Sequence, residues 1–280
     1  MPTATQKPAD LTEDQFDEIS ELVKALCGIN LHHGKKELVR SRLAKRLRRL
    51  GIATFDEYMA CVRSDTTGSE LTTMLDALST NLTHFFREPR HFQYLKEAPL
   101  PAIIHRNRHS RRIRIWSAGC SSGEEAYSIA IVLADQLSDL GTWDARILAT
   151  DLCTEMLARA REGTYDAVRL RDTPQPLLVK YFRCVQTRPE PRYQVAERVR
   201  KLVHFARLNL MGPWPMRGPF DAIFCRNVMI YFDKPTQNAL VERFWRILAP
   251  GGTLFIGHSE SLTGVKHSFR YVQPTVYQKP

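Results

Sequence analysis

The sequence predicts an α/β fold in which an all-helical amino-terminal segment precedes a mostly parallel sheet flanked by helices. Three observations carry this. Up to Lys96 the apolar residues recur only at helical spacing. From Ile113 onward strand-like and helix-like runs alternate, as they do when parallel strands are joined by helical crossovers. Near the carboxyl end Ser268–Val272 and Thr275–Gln278 form a hairpin pattern, which closes the sheet with antiparallel edge strands.

In order, residues 1–10 are expected to be a disordered tail, and 11–98 a helical domain. Leu11 to Cys27 is an acidic amphipathic helix capped by Thr12 and ended by Gly28. The charge then reverses: Lys35 to Arg49 carries Lys35, Lys36, Arg40, Arg42, Lys45, Arg46, Arg48 and Arg49 against Glu37 alone. Val39, Leu43, Leu47 and Leu50 supply its apolar stripe, and Gly51 stops the helix. Such density of charge predicts a binding face as readily as an ordinary solvated one. Helices follow over Phe55–Arg63, Ser69–Ser79 and Pro89–Lys96, and prolines with a basic run make 99–112 a linker.

The sheet domain spans 113–280. Its strands are Ile113–Ser117, Arg146–Thr150 ending in Asp151, Val203–Leu208, Phe220–Cys225 and Thr253–Gly257. Helices Glu124–Leu137, Glu155–Arg161 and Pro235–Leu248 lie between them. The alternation lapses over about 164–202, where short β-prone pieces predict a small inserted β subdomain.

Composition narrows the function classes. The 280 residues are 43% apolar, enough for one large or two modest cores, and the formal charge of +10 predicts an anionic partner. Six scattered cysteines form no Cys-x-x-Cys pair and no zinc-spaced Cys/His group. They read as reduced thiols of a cytoplasmic protein with no metal site. No apolar run approaches membrane-spanning length, so no membrane insertion is expected.

The chemistry concentrates in Arg114 to Ile129, a strand, a turn of small residues and a helix. Gly119-x-Ser121-x-Gly123 lets a ligand approach the backbone at a strand's carboxyl end. It lacks the lysine of a Walker A loop and departs from the dinucleotide fingerprint. Glu124 and Glu125 occupy the helix start that a pyrophosphate would need free of negative charge, and there they suit a cationic ligand. Asp151, after the second strand, is placed either to accept from a ribose diol or to cap the next helix. S-adenosylmethionine meets both acids, with a ribose, an ammonium and no phosphate. Asn209-Leu210 and Asn227-Val228 follow the third and fourth strands and would line the same cleft.

Four segments then resemble a known family: Asn81-Leu82-Thr83-His84-Phe85-Phe86-Arg87-Glu88, Gly123-Glu124-Glu125-x-Tyr127-Ser128, Phe220 to Phe232, and Gly257-His258-Ser259-Glu260. They are similar to the signatures of the CheR family, chemotaxis-receptor glutamate methyltransferases that use S-adenosylmethionine. The resemblance runs nearly end to end. It implies a class I S-adenosylmethionine-dependent methyltransferase (Rossmann-like) sheet, with S-adenosylhomocysteine as product. It places Asn81, Thr83, Arg87, Glu124, Asp151, Asn209, Leu210, Asn227 and Val228 around the cofactor, beside the Gly119 loop, with Arg87 and Tyr231 nearest the transferred methyl. Ser121 stands where many methyltransferases keep a glycine.

The partner implied is the Glu-rich cytoplasmic helices of a chemoreceptor, with Arg40, Arg42, Lys45, Arg46, Arg48 and Arg49 as docking charges. In some family members the β insertion also binds a receptor-tail peptide. Two rivals remain at this point: an RNA methyltransferase and a catalytically silent regulator. Against the first, no basic patch interleaved with aromatics is found, so no nucleic-acid partner is expected; against the second, Arg87 and Tyr231 are both present.

Overall fold

The computed structural model describes residues 10–137 and 139–280. Of the tail expected over 1–10, residues 1–9 lie outside the described residues. The chain divides into two compact units, one of residues up to Thr80 together with Tyr231–Asp233, the other of Asn81–Ile230 and Lys234–Pro280.

The first unit is helical: α1 Glu13–Cys27, α2 Lys36–Leu50, α3 Phe55–Ser64 and α4 Ser69–Leu78. Thr12 and Gln15 form a reciprocal capping box on α1, and Thr54 and Glu57 form another on α3. Gly28 and Gly51 end α1 and α2 in the left-handed conformation that glycine adopts without a Cβ clash. The stripes meet in a core of Phe16, Ile19, Val39, Leu43, Tyr58 and Met74, among others. Tyr231–Asp233 belongs to this unit through an Ile29–Phe232 bridge, the Asn30 N–H on the Tyr231 carbonyl at 2.7 Å, and a Lys24–Asp233 ion pair at 2.8 Å.

The second unit opens with α5 Pro89–Glu97 and α6 Pro99–Arg106. Phe92, Leu95, Leu100 and Ile103 bury into its sheet core, so α5 belongs here rather than with α1–α4. The linker expected over 99–112 is thus mostly α6. Pro99 and Pro101 sit in its first turn, where the missing N–H groups have no intrahelical partner to lose.

Then follow β1 Arg112–Ala118, α7 Glu124–Gln136, β2 Asp144–Asp151, α8 Thr154–Glu162, β3 Thr164–Asp166, α9 Gln175–Tyr181, β4 Phe182–Gln186, β5 Arg192–Val195, α10 Glu197–Arg200, β6 Val203–Arg207, β7 Phe220–Cys225, α11 Lys234–Ile247, β8 Leu248–Ile256, β9 Arg270–Gln273 and β10 Val276–Gln278. The main sheet runs β6-β2-β1-β7-β8-β10-β9; its first five strands are parallel, and β10 pairs antiparallel with both β8 and β9. Strand order therefore reverses between β1 and β7, the place where open α/β sheets bind ligands at the carboxyl ends of their strands. The inserted piece is a three-stranded antiparallel sheet, β3-β5-β4. The six cysteines are free thiols, and no helix among the described residues is long and apolar enough to cross a membrane.

Candidate functional site

The loop after β1 turns sharply because three of its residues have positive φ: Gly119 at 86°, Ser121 at 49° and Gly123 at 95°. A Cβ on Gly119 would stand 2.5 Å from Val228 Cγ2, and one on Gly123 would stand 2.8 Å from Ala160 Cβ. Both glycines are thus required twice over, by conformation and by close approach. Ser121 holds a left-handed position that suits glycine, and its hydrogen bonds account for it. Its N–H donates to Asp151 Oδ2 at 2.7 Å and its hydroxyl to the Asn81 carbonyl at 3.2 Å.

The expected residues gather on this loop. Asp151 also accepts from the Cys153 N–H at 2.9 Å, so its carboxylate shapes both the loop and the start of α8. Neither the ribose nor the capping reading excludes the other, because each carboxylate oxygen accepts more than one hydrogen bond. The Leu208 N–H on the Asp151 carbonyl at 3.0 Å brings Asn209 and Leu210 to the same end of the sheet. There the Asn209 side chain accepts from the Met211 N–H at 3.0 Å, and Leu210 is buried. Val228 packs against Gly119, and Asn227 precedes it with φ of 59°.

Glu124 is wholly buried at the start of α7. Its Oε2 accepts from Ser122 Oγ at 2.7 Å, whereas Oε1 has no hydrogen-bond partner. Arg169 Nη1 stands 3.4 Å from Oε1 and donates at 2.5 Å to the Thr83 carbonyl. Burial pushes the Glu124 carboxyl above its usual range, with Ser122 and Arg169 pulling the other way. A buried carboxylate oxygen lacking a donor is an acceptor prepared for a cation. Beside a loop whose glycine leaves no room for a Cβ, a carboxylate oxygen with a free acceptor position fits a ligand that carries a positive charge.

Arg87 is half-buried and donates through Nη1 to the Leu82 carbonyl at 2.7 Å. Its backbone is fixed by a residue that sequence reasoning missed. Arg226, 2% exposed at its side chain, donates to the Arg87 carbonyl and pairs with Glu88 at 2.9 Å and Glu125 at 3.0 Å. Burial pushes the Glu125 carboxyl up, and Arg226 and Ser117 oppose it. For Glu88 burial also pushes up, but Arg226 and the His258 N–H win and leave its pKa below the usual range. Glu260, also buried, gathers the Gly257, Asn227 and Ile230 N–H groups at 2.5, 2.9 and 3.2 Å and so shapes the turn after β7. Phe85 and Phe86 are core aromatics: Phe85 meets Tyr165 and Phe182 edge-on, and Phe86 meets Phe92.

Tyr231 lies in the helical unit with Lys35 Nζ 5.0 Å from its ring centroid. The expected docking charges fall into two groups. Arg42 donates to the Leu78 and Ser79 carbonyls at 2.6 and 3.0 Å, closing the end of α4. Arg46 forms a two-armed pair with buried Glu70, which also accepts from Tyr58 at 2.9 Å. Arg40 pairs with Glu37 at 2.7 Å and with Asp10 at 3.5 Å. Lys45, Arg48 and Arg49 are exposed, with no ion pair among the described residues.

Residues 81–278 match the CheR methyltransferase SAM binding domain, and residues 14–79 match the CheR methyltransferase all-alpha domain. A probable chemotaxis protein methyltransferase of Rhizobium etli is 43% identical, covering 90% of this chain and 94% of its own length. The chemotaxis protein methyltransferase of Borreliella burgdorferi is 40% identical over 96% of this chain and 95% of its own. That of Escherichia coli is 40% identical over 95% and 91%. The chain belongs to the CheR methyltransferase family, and its sheet unit is that family's S-adenosylmethionine-binding methyltransferase domain.

Proposed function

We infer that this methyltransferase esterifies the γ-carboxylate of glutamates in the cytoplasmic helices of a chemoreceptor. The observation that carries the cofactor half of this reading is the buried Glu124 Oε1, which faces Arg169 at 3.4 Å but accepts no hydrogen bond, in the residue that follows the Gly119–Gly123 loop. The acceptor half is supported by the chemotaxis methyltransferases that the chain resembles along nearly its whole length. Glu124 would hold the cofactor's ammonium and Asp151 its ribose. Asn81, Thr83, Asn209, Leu210, Asn227 and Val228 would line the cleft around it. When bound, the cofactor supplies an electrophilic methyl on a sulfonium.

A free glutamate carboxyl has a pKa of about 4.3, so the acceptor arrives ionised and needs no general base. Attack of a carboxylate on a sulfonium removes one charge of each sign, and the protein's task is alignment and exclusion of water. A guanidinium gripping the acceptor with both arms would stabilise the charged ground state more than the transition state. Arg87, already turned onto the Leu82 carbonyl and braced by Arg226, acts as an orienting group. No metal is required by this chemistry.

Docking is assigned to the exposed Lys45, Arg48 and Arg49, which would steer an acidic receptor helix. The outer strand β4, with exposed Val185 and Cys184, offers an edge to which an extended receptor-tail peptide could add. The test is transfer of labelled methyl from S-adenosylmethionine to receptor-containing membranes against total RNA. Base-labile label on the receptor is expected; base-stable label, or label on RNA alone, overturns the assignment.

A further inference from the structure

We propose that Glu88, His91 and His258 form a binding site for a zinc-type divalent cation, through Glu88 Oε2, His91 Nδ1 and His258 Nε2. These ligand atoms lie within 4.8 Å of one another. His91 Nδ1 stands 3.4 Å from Glu88 Oε2, and His258 Nε2 stands 3.9 Å from the same oxygen. Two ligands on a tetrahedral ion with bonds of about 2.0–2.1 Å are separated by about 3.3 Å. The first pair is already at that spacing, and the exposed His258 side chain must rotate inward to close its separations from both partners, none of which exceeds 4.8 Å.

The decisive feature is the proton count on His91. Its ring is almost fully buried, and Nδ1 has no hydrogen-bond partner. On the other side Nε2 meets Thr275 Oγ1 at 2.7 Å, while that hydroxyl gives its single proton to the Pro274 carbonyl at 2.6 Å. With the Thr275 hydroxyl turned to the Pro274 carbonyl, Nε2–H is the donor and Nδ1 presents a lone pair toward a carboxylate oxygen. Glu88 Oε2 already accepts from Arg226 Nη2 at 2.9 Å, and its second lone pair, facing Nδ1, leaves two acceptors between which an ion can sit. Orientation of a ligating imidazole by a hydrogen bond from its other nitrogen is the usual support of a metal ligand.

The surroundings allow an ion. Arg226 is shared between Glu88 and Glu125, so the guanidinium does not belong to Glu88 alone. The His258 side chain is 48% exposed, which gives an entry path and leaves a fourth position to water. A two-His, one-carboxylate set with one open position suits Zn²⁺. Because Glu88 also accepts from the His258 N–H at 3.1 Å and Asn227 Nδ2 at 3.4 Å, an ion here would brace the segments on both sides of it.

Tag-free, chelator-treated protein titrated with ZnCl₂ in a calorimeter tests this. One equivalent is expected to bind, and His258→Ala, which removes an exposed ligand, is expected to weaken it at least ~10-fold. The Co²⁺ form should show a visible ligand-field spectrum that H258A loses. Tryptophan fluorescence melts check that the variant folds, with His258→Gln as the substitute if it does not. Absence of binding, equal affinity in the variant, or loss only on His33→Ala at the exposed His33–Glu13–Asp17 group overturns the site. The outcome does not depend on which acceptor the enzyme methylates.

Discussion

Replacing Gly119 by Ala probes the contact on which the cofactor cleft depends. An L-residue at φ 86° pays about 1–2 kcal/mol. The added Cβ, 2.5 Å from Val228 Cγ2, forces an overpacked contact of about 1–3 kcal/mol. Val228→Ala alone removes methyl groups from a half-buried side chain and should cost roughly 1 kcal/mol. In the double variant the clash has no partner, so its share is recovered while the φ penalty stays. The cycle is then non-additive by about 1–3 kcal/mol. Urea unfolding followed by tryptophan fluorescence isolates the effect, because all four tryptophans, Trp116, Trp143, Trp214 and Trp245, lie in the sheet unit. Losses that add to within about 0.5 kcal/mol would show that the β1 and β7 loops do not meet as described.

Two further outcomes follow from the charges. Glu124 carries a pKa raised by burial, and a bound ammonium would lower it again. S-adenosylhomocysteine affinity should therefore rise with pH up to the raised value and level off above it, falling about tenfold per pH unit below. Calorimetry in buffers of different ionisation enthalpy should detect proton release in that window, and a pH-independent affinity contradicts the assignment. On α2 the two kinds of arginine should separate. Arg46→Ala strips buried Glu70 of its two-armed partner and should cost the helical unit about 2–3 kcal/mol by circular dichroism. Arg48→Glu with Arg49→Glu should leave stability and cofactor affinity unchanged and raise the apparent KM for receptor, most at low salt. Equal effects on cofactor and receptor would remove the docking role.

Local chemistry made much of this legible in the sequence. The Thr12 cap, the Gly51 stop and the β7 strand are written in adjacent residues, and so is the Gly119 turn, because each depends on neighbours a few positions away. Helix α6 was hidden because Pro99 and Pro101 read as breakers until their place in the first turn is known. The network of Arg226 with Glu88 and Glu125 joins residues 138 and 101 positions apart, and Arg169 reaches Thr83 across 86. Such pairs are products of the β1–β7 switch point and the insertion, not of any local pattern. The same applies to Arg42 and Arg46. Charge density marked them as surface, whereas Glu70 and the open carbonyls ending α4 drew them inward.

The central claim is that the methyl goes to a glutamate side-chain oxygen. Tandem mass spectrometry of a receptor cytoplasmic fragment after incubation with the enzyme and S-adenosylmethionine tests it most directly. Peptides one methylene heavier are expected, with the increment on glutamate and abolished when that glutamate is replaced by alanine. An increment on lysine, arginine or a terminal amine would contradict it.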